Sequence, residues 1–360
     1  MAALASAFDS DVPAPVNFVL MRGLLSAARK RLPYFNGTLP GNLEKNQGSA
    51  SVKWRRINNL TAVTTALAEV NGTAAAFLGR DAVRPTVTDV NVASALYGNA
   101  ILVGERIDLF NINSKSAQLM DVLGANAGES LNMLMRNEFN TGFTQIRYAS
   151  GVANDSAVAA AISLNDIKFA VNKLNRNSAM TFMPIGTGSV NYNSQPIRSA
   201  YYGITHPDVE EDIRGLSGFV GVEQYGGYAE TLPYEFGSVG GVRWCATEIS
   251  PISSAASGVS SNLLRGTAGG AAPDVYSTFI YGRESVGSVG LGNMHATTSY
   301  EMYDPMKPPA VELIVHQPGT SGIFDMYNEM GSLAWKAWFA AKTLNTDWGV
   351  KLRTGASRLA

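Results

Sequence analysis

The sequence has 360 residues, 28 of them Lys or Arg and 29 Asp or Glu, for a formal net charge of −1. Charged residues make up 16%, below the roughly 25% of an average domain, while a hydrophobic share of 46% is ample for a core and excludes intrinsic disorder. The single cysteine, Cys245, excludes an internal disulfide framework and a multi-cysteine zinc site, and the neutral balance argues against a dedicated nucleic-acid binder. No apolar run is long enough for a transmembrane helix, and the opening residues MAALASAFDS have neither the basic leader nor the apolar segment of a signal peptide. A soluble chain of one or two domains is therefore expected. Its low charge suits a surface that is buried against neighbours, because charges are depleted at interface cores.

Residues 1–15 are small, polar and interrupted by Pro13 and Pro15, which reads as an extended arm. From Val16 to about Arg31, Phe18, Met21, Leu24 and Leu25 fall on one helical stripe, and Pro33 ends it. Residues 34–84 hold the turn signals Asn36-Gly37, Pro40-Gly41 and Asn71-Gly72 around strand-like pieces such as Ser51–Arg56, the pattern of a long hairpin or projecting loop. Strand-like alternation over 85–110 leads into a long helix at about 114–140, where Leu119, Leu123, Ala127, Leu131 and Leu134 form an i, i+4 and i+3 ladder. A second helix is predicted over 164–174, with Ile167, Val171 and Leu174 on one face. Short apolar runs at Gly241–Thr247, Val275–Tyr281 and Val286–Leu291 lie in a glycine-rich region, and the Ser/Ala/Gly stretch 252–272 reads as a surface loop. Leu333–Leu344, with Trp335, Trp338 and Phe339, is predicted to be helical. An alternating strand follows through Trp348, Val350 and Leu352, with Lys351 and Arg353 on its other face. The fold class is α+β, without the regular strand–helix alternation of a doubly wound sheet.

Catalytic signatures are missing: there is no phosphate-binding loop, dinucleotide fingerprint, nucleophile elbow or paired-histidine zinc motif. His206, His295 and His316 stand far apart, and Cys245 follows Trp244 in an apolar strand, where a thiol acts as a small hydrophobe. No catalytic residue, cofactor or metal is expected. The run HPDVEEDIRG collects Asp208, Glu210, Glu211 and Asp212; its spacing matches no calcium loop, and acidic residues favour the first turn of a helix. Residues 1–60 carry eight basic residues against three acidic ones, a net charge of +5 that leaves −6 for the remainder. A basic N-terminal part and an acidic remainder can attract each other between subunits.

Several stretches, in order, resemble the major capsid proteins of tailed bacteriophages, in the family typified by enquatrovirus-type podophages. These are Gly48 with Val52-Lys53-Trp54-Arg55-Arg56, Leu60 and TALAEVNG (65–72), where Ala66 and Val70 replace the pattern's Pro and Gly. Tyr97-Gly98 and Asp108 come next, then YYGITHPDVEEDIRG (201–215), with Ile213 in place of the pattern's Leu. Phe236-Gly237, Gly241-Val242-Arg243-Trp244, Val275-Tyr276, Tyr281-Gly282, Asp304-Pro305 and GSLAWKAWFAAKTLN (331–345) complete the set, which runs from about Gly48 to Leu352.

The resemblance implies the Hong Kong 97-like capsid fold. Residues 1–33 would be the N-terminal arm and first helix, 34–84 the extended loop (E-loop), and 85–144 the P-domain strands and spine helix. Residues 145–295 would form most of the A-domain, and 296–360 a return to the P-domain sheet with a C-terminal helix and strand. The implied function is that of a structural subunit of the virion, not an enzyme. It would be assembled in the host cytoplasm into pentamers and hexamers of an icosahedral head around double-stranded DNA. Its partners would be copies of itself, a scaffolding protein, a portal, a cement protein and DNA bound without sequence specificity, and no membrane. Candidate contacts between subunits are Lys53, Arg55 and Arg56 on one side and Asp208, Glu210, Glu211 and Asp212 on the other. Two alternatives stand beside this reading: an encapsulin-type shell of the same fold, and a hydrolase or carbohydrate-binding protein using the Gly/Asn/Tyr-rich segments 186–203 and 224–243.

Overall fold

The structure is a computed structural model that describes residues 32–42, 51–58, 60–64, 84–104, 115–182, 200–224, 232, 234–254, 256–259, 263–266, 272–290, 311–316, 327 and 329–358. The expected arm and first helix at 1–31, and the TALAEVNG and Asp304-Pro305 motifs, lie outside the described residues.

The long ladder forms helix α1, Lys115–Gly142, 28 residues and about 42 Å at 1.5 Å per residue. Met120, Leu123, Ala127, Leu131, Met135 and Phe139 are buried along one side at i+3 and i+4 spacing. Helix α2, Leu164–Arg176, is capped by the Ser163 side chain. The Ser163 hydroxyl receives the Asp166 N–H (3.3 Å) and donates to the Asp166 carboxylate at 2.6 Å. Helix α3, Pro207–Arg214, starts with Pro at its first turn and His206 as N-cap, and buries Val209 and Ile213.

Two sheets carry these helices. The first has five strands. β4 (Ala95–Gly104) lies along one side of the 14-residue β14 (Met330–Thr343), and β13 (Glu312–His316) and β12 (Val286–Gly290) lie along the other. β1 (Leu39–Asn42) pairs parallel to β12 at the margin. The second has eight strands, β5 (Gln145–Tyr148), β15 (Gly349–Thr354), β11 (Val275–Tyr281), β6 (Tyr201–Thr205), β9 (Val242–Ala246), β8 (Glu235–Val239) and β7 (Val220–Gly221) in that order, with β10 (Ile252–Ser253) also on β11. A separate hairpin pairs β2 (Ser51–Ile57) with β3 (Val87–Ala93), so it runs past residue 84, while residues 39–42 and 286–290 both belong to the five-stranded sheet.

One prediction is corrected. Leu333–Leu344 is not a helix but most of β14. Leu333, Trp335, Ala337 and Phe339 are buried, while Ser332, Ala334, Lys336 and Trp338 are more exposed. That is a period of two, set by burial of one sheet face beneath α1. The stretch 252–272 also departs from a plain surface loop, since β10 joins the sheet and Leu264 is buried beside Ser357.

β11 joins the two halves. Every residue in it is buried. Phe279 and Tyr281 enter the core shared with α1 and the five-stranded sheet, and Tyr276 and Ile280 enter the core under α2 and α3. Around Phe139 of α1, the rings of Tyr34, Phe143, Phe279 and Tyr281 lie 5.0–5.9 Å away, all edge-on. Lys351 of β15 donates to the Asn140 carbonyl in the last turn of α1 at 2.9 Å, and burial lowers its pKa.

Candidate functional site

Alternation in β2 sends Val52, Trp54 and Arg56 to one face and Ser51, Lys53, Arg55 and Ile57 to the other, more exposed one. Pairing with β3 sets Arg55 opposite Asp89 and Lys53 opposite Asn91. Asp89 therefore receives both cations, Lys53 Nζ at 2.6 Å and Arg55 Nε at 2.9 Å. Its carboxyl is held down to about 2, chiefly by the Arg55 hydrogen bond and then by Lys53. Arg56 donates to the Asn58 side chain at 3.2 Å. Beyond the charges, Ile57 (63% exposed) faces Val87 (49%), with Leu60 and Val63 exposed after them.

The half-buried face of the hairpin lies on the five-stranded sheet. Val52, Trp54 and Val92 pack on Val289 and Ala340, forming a cluster apart from the two large cores. The rest of that sheet face leaves Leu96, Leu102 and Trp338 substantially exposed.

Three of the four acidic residues of α3 have partners within the chain. Asp208 pairs with Arg265 and accepts from the Tyr276 hydroxyl at 2.9 Å. Glu210 pairs with Arg214 one turn on, at 2.6 Å. Asp212 accepts the Ser357 N–H at 2.9 Å. Glu211 is exposed. The two groups of candidate residues are not joined to each other among the described residues: Lys53 and Arg55 share Asp89 and Arg56 turns to Asn58, while the paired α3 acids turn to Arg265, Tyr276 of β11, Ser357 beyond β15 and their own helix.

His206 and Cys245 do structural work. His206 Nδ1 accepts the Asp208 N–H at 3.1 Å as the α3 cap. Cys245 is buried in β9, and burial pushes its thiol up to about 12. His316 sits on β13, and His295 lies outside the described residues. Among the described residues no group of three His, Cys, Asp or Glu could hold a metal ion. No helix among them is long and apolar enough to cross a membrane.

Two features escaped the sequence reading. Asp89 becomes visible as a partner of Arg55 only once strand register is known. The buried pair of Glu235 on β8 and Arg243 on β9, bidentate at 2.5 and 2.7 Å, has only the hairpin turn at Gly240-Gly241 as its signal.

No protein family matches the sequence, and no curated protein matches it either. Solved structures do. The capsid of Ralstonia phage GP4 matches with a TM-score of 0.65 at 11% identity, over 92% of this chain and 93% of that one. The cyanophage Pam1 capsid matches with a TM-score of 0.59 at 9% identity, over 92% of each chain. The head of Helicobacter pylori bacteriophage KHP40 matches with a TM-score of 0.54 at 11% identity, over 91% of each. A likeness over about nine-tenths of the chain at such low identity is a likeness of fold, and the chain has the Hong Kong 97-like fold.

Proposed function

We propose that this chain is the major capsid protein of a tailed bacteriophage, of the enquatrovirus-type podophage family. Its work is self-assembly into pentamers and hexamers that close into an icosahedral head around double-stranded DNA. The observation that carries the reading is the match over nearly the whole chain to the Ralstonia phage GP4 capsid. The ordered motifs between Gly48 and Leu352 support the narrower family.

In this reading α1 and the five-stranded sheet are the P-domain, and α1 is its spine helix. The eight-stranded sheet with α2 and α3 is the A-domain, to which β15 (Gly349–Thr354) returns from the C-terminal segment 296–360, the β2–β3 hairpin is the base of the E-loop, and residues 1–33 are the N-terminal arm and first helix. The subunit is a virion component assembled in the host cytoplasm, with a scaffolding protein, a portal and a cement protein as partners. It has no enzymatic role. Subunits in a shell meet through heterologous contacts that close into rings, and permanent interfaces commonly bury about 2,000–5,000 Å².

Lys53, Arg55 and Arg56 contact a neighbouring subunit, and Asp208, Glu210, Glu211 and Asp212 are the acidic side of such a contact. In-chain pairing leaves charge for this on both sides. Lys53 and Arg55 are two cations against one carboxylate. On α3, Glu211 is exposed and the partner of Asp212 is a neutral N–H. A net charge of −1 also suits a shell that encloses DNA without gripping it, because phosphate affinity grows with each Lys or Arg contact.

Sedimentation velocity of the purified protein over a concentration series tests the reading. Species of ring or shell mass, in exchange with the 38.3 kDa subunit, are the expected result. A monomer at every concentration, with and without the co-expressed scaffolding protein, would refute it.

A further inference from the structure

Trp54 has an unusual seat. Its indole lies over two glycines on adjacent strands, Gly41 of β1 and Gly287 of β12. A methyl group built on Gly41 would come within 2.6 Å of Trp54 Cζ2, and one on Gly287 within 2.8 Å. Neither glycine has a positive φ, so neither is there for backbone freedom; the positions require space. Val289 and Ala340 form the floor of the seat, and Val52 and Val92 flank the indole from the hairpin. Among the described residues these are the hairpin's apolar contacts with the rest of the chain, and none of its residues enters either large core.

The hairpin meets the sheet through Val52, Trp54 and Val92 beside the point where β3 passes through Ser94 into β4, and Trp54, the largest of these contacts and the one furthest from that junction along β2, sets its direction there. Every residue past the ring adds about 3.4 Å of lever, so a small tilt at the notch becomes a large displacement further out.

We propose that Trp54, seated in the notch of Gly41 and Gly287, is the joint that fixes the angle of the β2–β3 hairpin over the five-stranded sheet. It thereby positions Lys53, Arg55 and the exposed Ile57 and Val87 for contact with a neighbouring copy of this chain. Trp54 is a positioning residue: it acts through the hairpin and not by touching the neighbour. The second half of the inference rests on the assembly reading; the first half does not.

The experiment measures the angle without assembly. Spin labels at Asn91→Cys on the hairpin and Glu329→Cys beside β14 report one distance in the unassembled subunit. Cys245, 1% exposed with its thiol pushed up to about 12, stays unlabelled. The parent gives one narrow distance distribution. Trp54→Ala and Gly287→Val broaden or displace it, Trp54→Phe largely restores it, and the denaturation midpoint of the two large cores stays in place. Particle yield falls at least tenfold in the first two variants and recovers in the third.

An unchanged narrow distance in both Trp54→Ala and Gly287→Val would overturn the joint. A broadened distance with undiminished particle yield would overturn its part in assembly. A parent that shows the narrow distance but forms no particles would count against the assembly reading and not against the joint.

Discussion

Phe139 is the residue whose removal should cost the subunit most per atom lost. It is fully buried in α1, and its ring meets Tyr34, Phe143, Phe279 and Tyr281 at centroid distances of 5.4, 5.2, 5.9 and 5.0 Å. Phe279 and Tyr281 belong to β11, whose other face builds the second core, so the ring ties α1 to the strand common to both halves. Truncation to Ala removes a buried ring and leaves a cavity that four rigid aromatic neighbours cannot collapse into, a loss of about 3–5 kcal/mol. Phe139→Leu keeps most of the volume and should cost roughly half as much. The edge-on pair with Phe279 should add a coupling of about 0.5–1.5 kcal/mol in a double-mutant cycle. Guanidinium denaturation of the unassembled subunit, followed by far-UV circular dichroism, reads all three numbers. A Phe139→Ala loss below about 1 kcal/mol would refute the reasoning, because it would mean the site relaxes freely and the aromatic cluster is not the link between the halves.

The buried Glu235–Arg243 pair gives a second prediction. Arg243→Met removes the guanidinium from the buried Glu235 carboxylate, which keeps the Leu232 N–H at 2.8 Å, and should cost about 3–5 kcal/mol, whereas the double change Glu235→Leu with Arg243→Met should recover part of it while leaving that N–H without its acceptor; the same denaturation assay checks both. For pH, His206 is the group to follow. Burial is the larger cause that lowers its pKa below 6.5, with the Arg265 charge second, and its Nδ1 lone pair already holds the Asp208 N–H. A depressed folded pKa means that its contribution is complete above pH 6.5 and is lost as pH falls through the lower folded value. Melting temperature should therefore drop between pH 7 and pH 5, and His206→Asn, which caps without titrating, should flatten that part of the profile; an equal slope in the variant would contradict the assignment. Reversing Arg55 and Arg56 to Glu should sharply lower particle yield and leave the two cores intact, because neither residue enters them. Normal particles from that variant would remove the hairpin from the list of contacts.

Much of the fold was legible because its signals were local. The i, i+4 ladder of α1, the apolar face of Ile167, Val171 and Leu174 in α2 and the acidic first turn of α3 each mark an element by its own residues. β14 was misread because its outer face mixes Ser332, Lys336 and Lys342 with Ala334, Trp338 and Ala340. Phe339 points into the core, while Ala340 on the opposite face is covered by the hairpin, so the polar half of the alternation is weak. Ala and Lys then tilt the composition toward helix. The candidate contact residues were legible as charges but not as pairs. That Asp89 takes Lys53 and Arg55, and that Arg265 takes Asp208, depends on strand register and on a loop contact 57 positions apart. The Trp54 notch was illegible for a related reason: Gly41 beside Pro40 reads as a turn, and only the pairing of β1 with β12 shows that the missing side chains make room for a ring.

The central claim is that this surface is built for repeated, closed association with copies of itself. Electron microscopy of the purified protein across a concentration and salt series tests it most directly. The account predicts rings with five-fold and six-fold symmetry and closed icosahedral shells built from them. Compact single subunits under every condition, with no symmetric assembly, would contradict it.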